Sequence, residues 1–192
     1  IEAKAGPGLQ GLLQAHQAVQ EDRVDAVLAG LGRLAGAQEA MRETLLRMPE
    51  RCDPYIYYHR VRPYIHGWKN HPILKDGLIY EGVAAYSGKP QQFRGETGSQ
   101  SSIVPALDAA LRITHKDDPL RAYLNEMKDY MPPRHRAFID MLEQGPNVRE
   151  WIDNSGNSTI KDLYNSAVEW IHKFRALHLQ YAISYIEQQK QT

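Results

Sequence analysis

Residues 160–185 read IKDLYNSAVEWIHKFRALHLQYAISY, and their apolar positions decide the fold class. Ile160, Tyr164, Ala167, Ile171, Phe174, His178, Tyr181 and Tyr185 follow one another at gaps that alternate four and three. That spacing puts all eight on one face of a long helix. His178 therefore points where a core is expected, and it has two readings. It is a core imidazole satisfied by hydrogen bonds, or a neutral imidazole presented to a metal or haem iron from a rigid support. Arg175 precedes it by one turn, so the two side chains are neighbours on that helix. Spacing alone leaves both readings open.

Upstream of this helix, Asn154-Ser155-Gly156-Asn157-Ser158 reads as a turn that caps it, and shorter helices are expected around 119–130, 133–143 and 146–151. Arg94 to Ser102 is small and polar and runs into an apolar helical pattern at Ile103, Leu107, Ala110 and Leu111. Residues 66–95 carry Gly67, Pro72, Gly77, Gly82, Gly88 and Pro90 and read as a long irregular loop. Before it, Tyr55 to Ile65 is aromatic and basic, and Pro63 should kink any helix there. Helical periodicity runs from Gly8 to about Gly30 and continues past Gly32 and Gly36 to Met48, where Pro49 should end or bend it. No β-rich alternation and no internal repeat is present. The class expected is all-α, as one domain over residues 1–192 with one long irregular loop.

With 192 residues the chain can bury a real core. Lys and Arg total 23 and Asp and Glu total 23, a balance that argues against a nucleic-acid binder or an anionic-membrane binder. Charged residues interrupt every hydrophobic segment, so no membrane span is expected. The lone Cys52 excludes an intrachain disulfide framework and makes a reducing, cytoplasmic setting the simplest home. The opening Ile1-Glu2-Ala3-Lys4-Ala5 reads like the middle of a helix, which suggests a piece of a longer polypeptide.

Three groups of residues could carry chemistry. The Gly95–Ser102 loop offers backbone N–H groups and hydroxyls at a helix start, where an anion or a plain helix cap would fit. It lacks the Gly-Lys-Ser/Thr of a P-loop. Arg60 and Arg62 stand among tyrosines, a mixture that can hold a carboxylate while rings stack on a flat ligand, or can simply be surface arginines beside half-buried rings. Asp108 falls at apolar spacing with Val104 and Leu111, so an inward carboxylate would need a partner, and Arg175 is the obvious one. His59, His66, His71, His115, His135 and His172 form no metal-ligand spacing, and no His-Glu-x-x-His or Cys-x-x-Cys occurs.

A set of motifs then recurs in a consistent order. They are Tyr57-Tyr58-His59-Arg60-Val61-Arg62, Gly67-Trp68-Lys69-Asn70, Asp76-Gly77-Leu78-Ile79-Tyr80-Glu81-Gly82 and Gly98-Ser99-Gln100-Ser101-Ser102. Tyr130-Met131-Pro132-Pro133-x-His135-Arg136, Pro146-Asn147-Val148-Arg149-Glu150 and Arg175-Ala176-Leu177-His178-Leu179-Gln180 complete the set. The chain resembles the large catalytic domain of the indoleamine 2,3-dioxygenase family, from its first residues almost to its last.

The resemblance implies a helical haem-binding domain that cleaves the indole 2,3-bond of L-tryptophan, or a related indoleamine, with dioxygen to give N-formylkynurenine. It implies haem b as cofactor with His178 as the iron ligand. Arg175 and Asp108 would support the proximal side and a propionate, beside the loop glycine Gly98. Arg62 would grip the substrate carboxylate. Tyr57 and Tyr58 would line the distal pocket where better-known members carry phenylalanines, and Thr97 would stand at a loop serine. The spacing of Tyr57, Tyr58 and Arg62 lets all three share a pocket-facing side. His59, next to Tyr58, should face elsewhere. The family pattern also implies that the small N-terminal domain and the C-terminal closing segment lie outside this chain, so the rest of the polypeptide is needed to complete the pocket. A haem enzyme that oxygenates another indole, or a haem-free interaction domain on the same fold, are the alternatives.

Overall fold

The computed structural model describes residues 1–117 and 119–191. The chain is all-α, and no strand occurs among the described residues. Its helices are α1 (Glu2–Gln20), α2 (Val24–Leu46), α3 (Pro54–Ile56), α4 (Arg62–Ile65), α5 (Ile103–Ala110), α6 (Pro119–Lys128), α7 (Pro133–Gln144), α8 (Val148–Ser155) and α9 (Ser158–Ala182). No helix among the described residues is long and apolar enough to cross a membrane. Contacts group the chain into two compact units, Ile1–Arg51 with Ser99–Ala182, and Cys52–Gly98 with Ile183–Thr192.

In the first unit α1 packs along α2, α2 packs on α9, and α5 packs on α7. The periodicity that runs from Gly8 to Gly30 is split at Glu21-Asp22-Arg23, where Asp22 takes a left-handed conformation (φ 53°). Asp tolerates that region better than most residues, and Trp151 Nε1 donates to its side chain at 2.9 Å. The glycines of α2 do not break it. A Cβ at Gly30 would stand 2.5 Å from the Gly11 carbonyl oxygen, and one at Gly11 would stand 2.5 Å from the Gly30 carbonyl. These two glycines cost helix propensity and let the two backbones touch. Leu12, Leu31, Leu34, Leu111, Ile139, Leu142 and Ile160 are fully buried between the layers.

The expected cap of the last helix is present. Gly156 ends α8 at φ 64°, and the Asn157 side chain accepts from Ile160 N–H at 3.2 Å. The apolar stripe of α9 is buried at Ile160, Tyr164, Ala167 and Ile171. Tyr164 donates to the Leu111 carbonyl at 2.6 Å, and burial pushes its phenol pKa up. Past Ile171 the pattern changes. Phe174 is half-buried, His178 is exposed, and Leu177 takes the buried position in that turn. The expectation of an inward His178 is therefore corrected: heptad-like spacing tells which residues share a face, and only packing tells how far along the helix that face is covered.

In the second unit the kink expected at Pro63 takes the form of a π-turn over Tyr57–Val61, with the Arg62 N–H bonded to the Tyr57 carbonyl. Proline has no N–H to donate, and π-turns absorb such a gap in an otherwise helical ladder. The long loop that follows is held by two isolated antiparallel bridges, Gly67 with Arg94 and Leu78 with Gln91. Tyr80, Tyr86 and Phe93 cluster with ring centroids 5.6–5.9 Å apart.

Candidate functional site

Asp108 sits on α5 with only 16% of its side chain exposed. Its Oδ2 accepts from Arg175 Nη2 at 2.5 Å, so the pair expected from the sequence forms. It is half-open rather than buried, because 36% of the Arg175 side chain remains accessible. The same Oδ2 is 2.9 Å from His115 Nε2. A carboxylate is acceptor-only when ionised, so that nitrogen carries the proton. Asp108 Oδ1 is buried with no hydrogen-bond partner among the described residues.

His115 reaches Asp108 because α5 stops. Arg112 adopts φ 53°, and Ile113 N–H bonds back to the Asp108 carbonyl at 2.9 Å. The Arg112 guanidinium clamps the turn, donating to the Glu143 carbonyl, to the Gly145 carbonyl at 2.6 Å and to the Pro146 carbonyl at 3.4 Å. Seven residues separate Asp108 from His115, a helical spacing, yet the helix ends between them. Periodicity could not have paired them, and this partner was missed in the sequence.

His178 lies one turn beyond Arg175 on α9, exposed and with no hydrogen bond or ion pair to a described residue. Among the described residues no group of three or more His, Cys, Asp or Glu could hold a metal ion by itself. A metal brought in a macrocycle needs one axial imidazole rather than a cluster. The residues fit such a group: an open imidazole and, one turn away, an arginine with N–H groups to spare. A shallow apolar crevice, lined in part by Met41, Val104, Leu107, Ile171 and Phe174, adjoins the same helix.

In the second unit Arg62 lies over the Tyr58 ring with its guanidinium carbon 5.6 Å from the centroid. Arg62 is half-buried and has no carboxylate partner among the described residues. Tyr57 does not share that side. It turns edge-on to Tyr185, centroids 5.9 Å apart, whose hydroxyl donates to the Cys52 carbonyl at 2.5 Å. His59 lies against both Tyr55 (4.4 Å) and Tyr58 (4.9 Å), so it supports the Tyr58 ring rather than facing away from it. Thr97 is half-buried, and Gly98 opens a single 3₁₀ turn where a Cβ would meet nothing within 4 Å.

The serines after that loop, in the first unit, serve the protein. Ser101 donates to Glu2 at 2.7 Å, and Ser102 is 2.9 Å from His135 Nδ1. The hydroxyls thus tie the start of α5 to α1 and α7 instead of facing an anion.

The family model described as Indoleamine 2,3-dioxygenase matches residues 1–192. Indoleamine 2,3-dioxygenase 2 of Homo sapiens is 34% identical over 186 residues, covering 97% of this chain and 45% of the relative. Indoleamine 2,3-dioxygenase 1 of Rattus norvegicus is 35% identical over 188 residues, covering 97% and 46%. Indoleamine 2,3-dioxygenase of Saccharomyces cerevisiae is 33% identical over 187 residues, covering 91% and 40%. The chain therefore spans less than half the length of these curated relatives. With the helical architecture and a match along its whole length, the chain belongs to the indoleamine 2,3-dioxygenase family.

Proposed function

We propose that this chain is the catalytic haem domain of a dioxygenase that opens the indole 2,3-bond of L-tryptophan or a closely related indoleamine. Both atoms of dioxygen would enter the product, N-formylkynurenine, so no external reductant is consumed. The observation that carries the reading is His178: an exposed imidazole without a partner among the described residues, one turn from an arginine held by Asp108.

His178 would be the protein ligand to haem b iron. Arg175 would meet an acidic edge of the cofactor, and Gly98 would be a further cofactor-binding residue. The bound haem would supply dioxygen binding and oxidising power, and the chain would supply ligation, orientation and shelter from water. Arg62 would read the substrate carboxylate with its planar fork, with Tyr58, Tyr57 and Thr97 shaping the substrate side. The rest of the polypeptide would complete the pocket, and the single cysteine suits a reducing cytoplasmic setting.

The test uses the full-length protein. Wild type should show a Soret band and convert tryptophan to N-formylkynurenine when given ascorbate and a dye mediator. His178→Ala should lose stable haem incorporation. A full, unshifted haem spectrum in that variant would overturn the ligand assignment. A haem-loaded wild type that forms a different indole product would overturn the reaction.

A further inference from the structure

Asp108, Arg175 and His115 form one polar cluster whose inventory is uneven. The carboxylate offers two oxygens. Both protein donors converge on Oδ2, Arg175 at 2.5 Å and His115 at 2.9 Å. Oδ1 is buried and receives no hydrogen bond from a described residue. Arg175 commits one nitrogen to Asp108, and its remaining N–H groups have no partner among the described residues. The cluster therefore holds one anion, one permanent cation that is only singly engaged, and an imidazole N–H that competes with that cation for the same oxygen.

Competition has a consequence. Charge-assisted hydrogen bonds to one oxygen divide its lone pairs. Each N–H that Asp108 accepts from His115 leaves less of the carboxylate to neutralise Arg175. His115 also fixes the carboxylate plane, because its ring is delivered by a turn that Arg112 clamps at its base. A free aspartate could swing to engage Arg175 with both oxygens as a bidentate pair and close its fork. The observed arrangement leaves Arg175 bound to Asp108 through one nitrogen only, with 36% of the side chain accessible.

We propose that His115 is a positioning residue: by sharing Asp108 Oδ2 it keeps Arg175 open to a carboxylate of the cofactor. This rests on the haem reading above and adds to it a residue outside the Asp108–Arg175 pair. His115 touches neither cofactor nor substrate. It acts through Asp108 on Arg175, and the ligand class is a carboxylate-bearing porphyrin.

The probes are haemin and its dimethyl ester, which keeps iron and ring and lacks the two carboxylates. Dissociation constants for both are measured by Soret titration of full-length apoprotein. Wild type should bind haemin at least tenfold more tightly than the ester. His115→Ala should reduce that ratio threefold or more through weaker haemin binding, with the ester constant unchanged. His115→Gln, whose amide N–H replaces Nε2–H, should restore the ratio to within twofold of wild type. A merely structural role would weaken both probes together and would not be rescued selectively.

The outcomes are distinct. An unchanged ratio in His115→Ala, or equal weakening of both probes, overturns the proposal. Should His115→Ala fail to fold, His115→Gln still tests the idea against His115→Leu, which keeps bulk and removes the donor: equal ratios in these two overturn it. Failure of wild type to bind either probe would instead overturn the haem reading itself.

Discussion

Arg175 and Arg62 belong to different units and are restrained by different chemistry. Arg175 is tied to a carboxylate that a histidine shares, on rigid helices. Arg62 rests on the Tyr58 ring in a π-turn, with no carboxylate partner among the described residues. An ion pair anchors an arginine and consumes part of its charge. An aromatic platform orients the guanidinium plane and leaves the charge to be answered by a ligand. The first arrangement suits a group that stays bound through many turnovers. The second suits a carboxylate that must arrive and leave.

The sharpest way to break this contrast is at Arg62. Arg62→Lys keeps the charge and loses the planar fork. On the proposed reading, kcat/KM for tryptophan should fall about a hundredfold, or roughly 2–3 kcal/mol, with a much smaller loss for tryptamine. Equal losses on the two substrates would show that Arg62 supports the fold and does not read the substrate carboxylate.

The rigidity of the first unit is tested where α1 meets α2. Gly30→Ala places a methyl against the Gly11 carbonyl and the Ala15 backbone, so chemical denaturation should show a loss of about 1–3 kcal/mol. Gly32→Ala meets nothing within 4 Å and should instead be neutral or stabilise by up to about 1 kcal/mol. Similar effects at both positions would mean that close backbone approach does not hold this unit together.

The smallest effect concerns His16, also in the first unit. Burial pushes its pKa below the usual value; a hydrogen bond to the Ala110 carbonyl opposes this, and the Arg112 charge adds to it. Nε2 is buried without a partner, and Nδ1 would lie 3.2 Å from a Cβ at Gly145. The unfolded chain therefore binds a proton more readily than the folded one. Stability should be full above the ordinary imidazole range, near pH 6.5, and should be lost as pH falls through the lower folded value. His16→Phe should flatten that acid limb in thermal melts. An unchanged limb would place the acid sensitivity elsewhere.

Several features were legible because they are local. The Asn157 cap, the Gly156 stop and the buried run from Ile160 to Ile171 follow from side-chain chemistry within one or two turns. The Asp108–Arg175 pair was legible because two inward-spaced charges of opposite sign seldom stay apart. His115 was not, because the Arg112 turn that delivers it depends on carbonyls from residues 143–146. The divergence of Tyr57 from Tyr58 was misjudged for a simpler reason: consecutive residues of a helix do not share a face.

By itself, then, the sequence determined the all-α class, the cap of the last helix and the family, all of which rest on periodicity, capping chemistry and ordered motifs. The tertiary structure decided that His178 is open to solvent, that Arg175 is half-engaged, and that His115 shares its carboxylate. The reason is physical. Periodicity assigns a residue to a face, whereas exposure and hydrogen-bond partners depend on what other segments bring to that face, and those segments are far away along the chain.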